Sequence, residues 1–178
     1  MKNGQMQLRL TGSGGQGVIL ASVILAEAAV MADKYTAQSQ SYGPEARGGS
    51  CKAECIISDA PIAFTKVTVP TFLLALTQKA LDTYAPGIPE GATVVIDESL
   101  SAPECLKNAR VLALPILRTA KEKTGKAFTA NIVAVGAINR LLKIVSAEAI
   151  EKAVLMHVPA GSESINMAAL RAGEELVS

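Results

Sequence analysis

The chain opens with a strand-like alternation that runs into a glycine-rich turn and then into a long, alanine-rich apolar stretch. Gln7–Thr11 alternates polar and apolar residues, and Gly12–Gly17 reads Gly-Ser-Gly-Gly-Gln-Gly. A helical pattern follows from Gly15 or Gln16 to about Met31. A strand, a tight glycine turn and a helix in this order are typical of the first unit of an open α/β sheet. This order constrains the fold more than any other feature of the sequence.

The rest of the chain continues the alternation of strands and helices. Further strands are predicted at Tyr35–Gln40, Ser50–Ser58, Phe72–Leu76, Thr93–Ile96 and Val111–Leu114. Helices are predicted over 77–84, 117–124 and 131–143, from Ser146, and after Gly161-Ser162 through Val177. We therefore predict an α/β fold in one domain, residues 1–178: a three-layer Rossmann-like open sheet, mostly parallel, with helices on both faces and a helical C-terminal part. Because no helix precedes Ser50–Ser58, that strand is expected to pair antiparallel.

Composition limits the classes of partner and compartment. The 178 residues are 49% hydrophobic but only 3% aromatic, and the net charge is +1. A core of aliphatic residues suits a parallel sheet covered by helices. No clustered basic face is visible, so we expect no binding to nucleic acid. The longest apolar run, Val18–Ala32, is too short to cross a bilayer and no secretory signal is visible, so we expect a cytoplasmic protein without a membrane segment.

The cysteines and the histidine do not form a recognisable metal motif. Cys51 and Cys55 would lie on one face of a strand about 13 Å apart, which is too far for one metal ion. The third cysteine, Cys105, makes the count odd, which argues against a disulfide framework. The single His157 is interpreted as structural. We therefore expect buried or half-buried thiols and no metal site.

The glycine-rich turn has the chemistry of an anion site. Glycines permit a close approach of the backbone, and the following helix start offers free N–H groups. The candidate cofactor-binding residues are Gly12, Ser13, Gly14, Gly15, Gln16 and Gly17, with Asn131 at the start of a later helix. A dinucleotide site would also need an acid near the end of the second strand, where Gln38–Ser41 stand instead, so NAD is disfavoured. The alternative is that the glycines only allow a tight turn.

A second motif follows the second strand and is rich in glycine. Residues 41–49 read Ser-Tyr-Gly-Pro-Glu-Ala-Arg-Gly-Gly. The candidate residues of this partner-facing or active-site-facing loop are Gln40, Ser41, Tyr42, Gly43, Pro44, Glu45, Arg47, Gly48 and Gly49. An arginine in a loop on a rigid scaffold suits contact with carboxylate or phosphate, although a plain solvated loop is the alternative. The adjacent acids Asp97 and Glu98 are expected to point apart.

These motifs in this order resemble the gamma subunits of the 2-oxoacid:ferredoxin oxidoreductases, and the likeness covers essentially the whole chain. Its strongest parts are Gly12–Gly17, Gln38–Gly49 and the tail Val158-Pro159-x-Gly161. In that family the gamma subunit is a Rossmann-like α/β domain packed on subunits that bind thiamine diphosphate. Tyr42, Ala46 and Gly49 make this motif more similar to the 2-oxoglutarate type of this subunit than to the pyruvate type.

The resemblance implies a gamma subunit of a CoA-acylating 2-oxoglutarate:ferredoxin oxidoreductase with no catalytic residue of its own. Its partners would be the alpha, beta and, where present, delta subunits, with ferredoxin reached through the complex. Thiamine diphosphate, Mg²⁺ and [4Fe–4S] clusters are expected on those partners, and a CoA phosphate is the anion suggested for the glycine loop. Alone, the chain is expected to be inactive and to dimerise through an uncovered apolar face. A branched-chain, pyruvate or indolepyruvate relative, an independent nucleotide-binding protein and a pure assembly scaffold remain the alternatives.

Overall fold

A computed structural model describes residues 4–42 and 50–177. The strands are β1 Met6–Ser13, β2 Tyr35–Tyr42, β3 Ser50–Ser58, β4 Phe72–Ala75, β5 Thr93–Asp97 and β6 Arg110–Leu114. The helices are α1 Val18–Met31, α2 Gln78–Tyr84, α3 Ile116–Thr124, α4 Ala130–Leu142, α5 Ala147–His157 and α6 Glu163–Glu175. Short 3₁₀ turns cover Ala85–Gly87, Glu104–Leu106 and Ala127–Thr129. Every predicted strand and helix is present, with bounds that differ from the prediction by at most a few residues.

The strands form one six-stranded sheet in the order β2-β3-β1-β4-β5-β6. The β1–β4, β4–β5 and β5–β6 pairs are parallel. Strand β3 is antiparallel to both of its neighbours, β1 and β2. This confirms the predicted mixed, mostly parallel sheet and the antiparallel third strand. A chain that turns from β2 into β3 without a crossover helix can only add the strand in this direction.

The two faces of the sheet are covered unequally. On the first face, residues such as Leu8, Leu10 and Leu74 pack against α1 and the C-terminal helices in one large apolar cluster. Helix α1 lies between the sheet and the later helices, and buried residues are therefore found all around it. On the second face, α2 and two 3₁₀ turns pack on Leu73 and Val94 in a smaller cluster. Helices thus lie on both faces, as predicted, but the second layer is thin.

Helices α4 and α6 cross with their backbones in contact. A side-chain carbon at Gly136 would collide with the carbonyl oxygen of Leu170, and one at Gly173 would collide with the carbonyl oxygen of Val133. Two glycines facing each other allow this close approach, which a larger residue would prevent. None of the helices in the described part of the chain is long and apolar enough to cross a membrane.

The start of α1 differs from the prediction. Strand β1 continues through Ser13 because Gly12 and Ser13 pair with Cys51 and Ser50 of β3. Helix α1 then begins at Val18, later than the predicted Gly15 or Gln16, since its N-cap residue Gly17 has a φ of 71°. A left-handed residue cannot continue a right-handed helix, so Gly17 fixes the point at which the helix starts.

Candidate functional site

The glycine turn is shaped by one of its own side chains. The Ser13 N–H donates to Oε1 of Gln16 at 2.7 Å, and Nε2 of Gln16 donates to the carbonyl oxygen of Leu76 at 3.4 Å. Gln16 therefore ties the turn to the chain just beyond β4. A side-chain carbon at Gly12 would lie 2.6 Å from that same Oε1 atom, so glycine at position 12 makes room for Gln16. Two of the predicted binding residues thus hold the turn in shape.

The exposed part of the turn consists of Gly14 and Gly15. Neither glycine has a heavy atom within 4 Å of the position that a side-chain carbon would take. Gly15 has a φ of 95°, a conformation that side chains rarely adopt, whereas Gly14 is not in this region. The backbone at Gly14 and Gly15 is therefore open to a ligand from outside, as an anion-binding turn requires.

Asn131 packs against the glycine turn at Gly17. It lies in the first turn of α4, and its Nδ2 donates to the carbonyl oxygen of Gly17 at 3.4 Å. Its Oδ1 accepts the N–H of Ile132 at 2.9 Å, and the residue is 5% exposed. The fold thus brings Asn131, one of the sequence-based candidates, into contact with the glycine turn. The side chain supports the turn and is largely hidden from solvent.

A cleft of about 350 Å³ opens beside the turn. It is lined by the turn itself, by Val18–Leu20 at the start of α1, and by Cys51. The first-turn N–H groups of an α-helix have no carbonyl partner within the helix and carry the positive end of its dipole. Helix α1 has no acidic residue in its first turn and no side chain capping it. The start of α1 therefore presents donors and partial positive charge to the cleft, and none of the described residues that line the cleft carries a carboxylate.

Cys51 lines the cleft, although the sequence did not mark it as a candidate for the site. It pairs with Gly12 across the sheet, is 5% exposed, and borders the cleft. Burial raises the pKa of the Cys51 thiol, which therefore stays protonated at neutral pH. Only the pairing of β1 with β3 places Cys51 here, and no local pattern in the sequence carries that register.

The second motif reaches the same end of the sheet. Tyr42 at the end of β2 pairs with Cys51 of β3, and Cys51 in turn pairs with Gly12 of β1. With adjacent strands about 4.8 Å apart, the two motifs are separated by about 10 Å of sheet. The backbones of Gln40 and Ser41 belong to β2, and both residues are exposed. The candidates Gly43, Pro44, Glu45, Arg47, Gly48 and Gly49 lie outside the described residues.

A charged cluster lies under α2 on the second face of the sheet. The Arg9 guanidinium bonds to Oε1 of Glu54 at 2.7 Å, and Nζ of Lys52 lies 3.2 Å from the same oxygen. Both cations lie over the ring of Tyr84, at 5.7 Å for Arg9 and 6.0 Å for Lys52. The cluster joins β1 and β3 to the helix layer and makes no contact with the cleft of the glycine turn, which lies on the other face.

The remaining candidates have structural roles. Oδ2 of Asp97 accepts the Leu117 N–H at 2.9 Å and so caps α3, whereas Glu98 pairs with Arg118 at the surface. Both acids thus contact neighbouring residues at the start of α3, Leu117 and Arg118. Among the residues the structure describes, no group of three potential metal ligands comes together. The three cysteines are free. Cys105 is exposed, contrary to the prediction, because the 3₁₀ turn that carries it buries only Leu106.

A larger cleft of about 520 Å³ lies at the far end of α4 from the glycine turn. Its walls carry Arg140, Lys143 and Arg171 together with Glu174 and Glu175. Burial and the nearby Glu151 carboxylate raise the pKa of Glu174. Carboxylates in the wall oppose a bound anion, so the smaller cleft beside the glycine turn is the better candidate site.

Comparison with known proteins identifies the family. Residues 7–176 match the family model described as pyruvate ferredoxin/flavodoxin oxidoreductase. The chain is 47% identical, over 96% of its length and 92% of the relative's, to the 2-oxoglutarate synthase subunit KorC of Methanocaldococcus jannaschii. It is 40% identical to the KorC subunit of Methanothermobacter marburgensis, over 96% of each chain.

Solved structures of 2-oxoacid:ferredoxin oxidoreductases have the same fold as this chain. The keto/oxoacid ferredoxin oxidoreductase gamma subunit of Geobacter sulfurreducens superimposes with a TM-score of 0.87 at 45% identity, covering 98% of this chain and 97% of that one. A 2-oxoglutarate:ferredoxin oxidoreductase of Magnetococcus marinus, solved with 2-oxoglutarate, coenzyme A and succinyl-CoA bound, shares the fold with a TM-score of 0.89. It is 20% identical, and this chain covers 99% of its own length and 31% of that longer chain. The chain therefore belongs to the pyruvate ferredoxin/flavodoxin oxidoreductase family, as a subunit of the gamma type.

Proposed function

We propose that residues 1–178 act as one gamma-type domain of a CoA-acylating 2-oxoglutarate:ferredoxin oxidoreductase. Such an enzyme decarboxylates 2-oxoglutarate oxidatively, forms succinyl-CoA, and passes two electrons to ferredoxin. The choice of substrate is supported by relatives at 39–47% identity that are named 2-oxoglutarate synthase subunits and that this chain covers over at least 92% of their length. The chain's own part is to hold CoA and to contact the companion subunits.

The open backbone of the glycine turn is the observation that supports CoA binding. Gly14 and Gly15 face free space, and the first turn of α1 beside them offers N–H donors without intrahelical partners and contains no acidic residue. A phosphate group of CoA fits this chemistry because it accepts several hydrogen bonds and carries negative charge. The conformation of the turn that binds the phosphate would be held by Gly12, Gln16, Gly17 and Asn131. Ser13 borders the same cleft.

The end of β2 and the segment that follows it would contact the companion subunits. Gln40 and Ser41 are exposed at the same end of the sheet as the glycine turn. Together with residues 42–49, they would face the alpha and beta subunits, which would hold thiamine diphosphate, Mg²⁺ and the [4Fe–4S] clusters, and a delta subunit where one exists. Three free cysteines are compatible with a reducing compartment, and we propose that the complex works in the cytoplasm.

The test uses the complex purified anaerobically from its native source, with this chain as the tagged subunit. The eluate is assayed for CoA-dependent reduction of a viologen dye with 2-oxoglutarate, pyruvate, 2-oxoisovalerate and indolepyruvate. We expect co-purified thiamine and iron–sulfur subunits and the highest kcat/KM with 2-oxoglutarate. Activity of the isolated chain, or a complex without CoA-dependent activity, would contradict the proposal.

Two substitutions separate CoA binding from a plain turn. Gly14→Val adds bulk at the open backbone without a clash or an unfavourable φ, and Ala113→Val adds similar bulk at an exposed position on β6. We expect Gly14→Val to assemble normally and to raise KM for CoA at least tenfold, with KM for the oxoacid unchanged. Ala113→Val should match the wild type. Unchanged KM for CoA in the Gly14→Val complex would leave the turn as a structural element.

The substrate panel also tests the second candidate, a branched-chain enzyme. It is favoured by the ketoisovalerate oxidoreductase subunit VorA of Methanothermobacter thermautotrophicus, which is 33% identical over 96% of this chain. This chain spans only 36% of that relative. A higher kcat/KM with 2-oxoisovalerate than with 2-oxoglutarate would favour this candidate.

A further inference from the structure

An exposed phenylalanine lies beside the glycine turn. Phe128 belongs to the 3₁₀ turn Ala127–Thr129, which continues directly into α4. A 3₁₀ helix has three residues per turn, so Phe128 and Asn131 lie one above the other on the same side of this helical stretch. The Asn131 side chain contacts Gly17. Phe128 therefore lies one helical turn from the edge of the glycine turn, and it is 60% exposed.

The backbone around Phe128 is held by hydrogen bonds of two threonines. The Thr129 hydroxyl donates to the Lys126 carbonyl oxygen at 2.8 Å, and the Thr124 hydroxyl accepts the Lys126 N–H at 3.2 Å. Thr129 and Ala130, which follow the ring, are buried. The aromatic ring is thus presented to solvent by a segment that is anchored on both of its sides. Such a support lowers the entropy cost of ordering the protein around a ligand.

Three lysines precede the phenylalanine. Lys121 and Lys123 lie in the last turn of α3, and Lys126 lies between α3 and the 3₁₀ turn. All three are exposed, and none of their ammonium groups bonds to another residue that the structure describes. Because α3 and the 3₁₀ turn pack against each other, the lysines and the ring lie within one short stretch of surface. Glu122 is the only acidic residue between positions 115 and 131, so this surface has an excess of positive charge.

A flat ring flanked by free ammonium groups suits a nucleotide. Every base can stack on an aromatic ring, and ammonium groups bind phosphate oxygens. A companion subunit is a poorer match for this surface, because lysine is depleted at the cores of protein interfaces. Three lysines are also too few for the extended basic face that nucleic acid needs. The chemistry therefore favours a single nucleotide beside the glycine turn.

We propose that this surface binds the adenosine end of CoA. The adenine ring stacks on Phe128, and the ribose 3′-phosphate lies among Lys121, Lys123 and Lys126. The inference rests on the proposed function, in which the glycine turn binds a phosphate of CoA, and it assigns the diphosphate to that turn. One ligand then bridges two neighbouring features of the fold, the open backbone of the turn and the exposed ring.

The position of Phe128 also gives CoA a direction. Helix α1 packs on β2 and β3, α4 packs against α1 and α3, and α3 follows β6. The glycine turn at the end of β1 therefore lies between Phe128, on the side of α3, and Cys51, on the side of β2. Adenosine at Phe128 directs the pantetheine arm across the cleft, past Cys51, toward the end of β2. The thiol then points to the companion subunits proposed to hold thiamine diphosphate, where the acyl group is formed.

The first test measures binding of adenosine 3′,5′-bisphosphate, a fragment of CoA without the pantetheine arm, to the purified complex by isothermal titration calorimetry. We expect CoA to compete with this fragment. Phe128→Ala and the double variant Lys123→Gln with Lys126→Gln should each weaken binding of the fragment about tenfold. Phe128→Tyr keeps a flat ring and should bind like the wild type. So should the matched controls Phe64→Ala, which is equally exposed in the connection from β3 to β4, and Lys107→Gln.

The second test compares CoA with dephospho-CoA, which lacks only the ribose phosphate, in the viologen assay of the complex. The double lysine variant should raise KM for CoA about tenfold and leave KM for dephospho-CoA unchanged, because only CoA carries the phosphate that the lysines bind. Phe128→Ala should raise KM for both compounds, because both carry the adenine ring. The value of kcat should stay the same, since neither change touches the reacting thiol.

Unchanged binding of the fragment in both Phe128→Ala and the double lysine variant would overturn the inference. Loss of companion subunits from the Phe128→Ala complex would do so too, since Phe128 would then be a subunit contact. An equal rise of both KM values in the double lysine variant would place the ribose phosphate elsewhere. The proposed function would survive each of these results if Gly14→Val still raised KM for CoA, so the two failures are distinguishable.

Discussion

Asn131 occupies the space that a side chain at Gly17 would need, although 114 residues separate the two in the sequence. A side-chain carbon at position 17 would lie 2.5 Å from Nδ2 of Asn131. The same contact couples the start of α1 to the start of α4. Because α1 opens the cleft beside the glycine turn, the position of that helix depends on a residue from the C-terminal part of the chain.

Gly17→Ala is predicted to destabilise the chain by about 3 kcal/mol or more, since it adds a collision with Asn131 to a left-handed backbone. Gly15→Ala is the matched control, because Gly15 has a φ of 95° but faces open space. It should cost only about 1–2 kcal/mol. Urea unfolding of both variants gives the comparison. An equal loss of unfolding free energy in the two variants would mean that the collision with Asn131 does not contribute to the destabilisation.

Cys51 is predicted to report on CoA in the assembled enzyme. It borders the cleft and is nearly buried, whereas Cys105 is exposed and Cys55 is fully buried. We expect saturating CoA to slow alkylation of Cys51 at least severalfold, measured by mass spectrometry of the peptides, without the same effect on Cys105. Pantetheine, which lacks the CoA phosphates, should protect Cys51 much less. Equal protection by the two compounds would place the phosphates elsewhere.

The sequence predicted the elements of the fold better than it predicted the site. The alternation of strand and helix patterns predicted the elements. The absence of a crossover helix before Ser50 predicted the antiparallel direction of β3. Both predictions rest on local patterns. The role of Gln16 inside the turn and the position of Cys51 in the cleft were not predicted. The bond from Gln16 to Leu76 and the pairing of Cys51 with Gly12 join distant segments, and no local pattern contains them, whereas the bond between Ser13 and Gln16 is local. Asn131 was proposed as a candidate, but only the packing of α4 places it against Gly17.

Glu54→Gln is predicted to destabilise the chain by about 3–5 kcal/mol because it leaves the Arg9 charge without its partner in a site that is nearly buried. The side chains of Arg9 and Glu54 are 13% and 9% exposed. Glu98→Gln is the control, since Glu98 pairs with Arg118 at the surface and should lose no more than about 1 kcal/mol. Unfolding in urea measures both variants.

Replacing both Arg9 and Glu54 distinguishes two quantities: the stability that the ion pair itself contributes, and the cost of leaving one buried charge without a partner. Arg9→Met with Glu54→Leu should recover most of the stability lost in Glu54→Gln, because two apolar side chains need no counter-charge. Lys52, with 24% of its side chain exposed, can then turn toward water. A double variant as unstable as Glu54→Gln would show that the ion pair itself holds β1 and β3 to α2.

Cys55 is predicted to make stability fall at high pH. Burial raises the pKa of its thiol from 9.0 to about 12. Above pH 9 the unfolded chain releases this proton while the folded chain keeps it, so ionisation favours unfolding. The contribution of the protonated Cys55 thiol to the free energy of unfolding is fully present below pH 9. It is lost as the pH rises toward 12, by about 1.4 kcal/mol per pH unit. Urea unfolding of wild type and Cys55→Ala between pH 8 and about 11 measures it. Cys55→Ala should be less stable at pH 8, because it leaves a cavity, but the gap should narrow as the pH rises. A constant gap would mean that the Cys55 thiol does not titrate differently in the folded and unfolded chains.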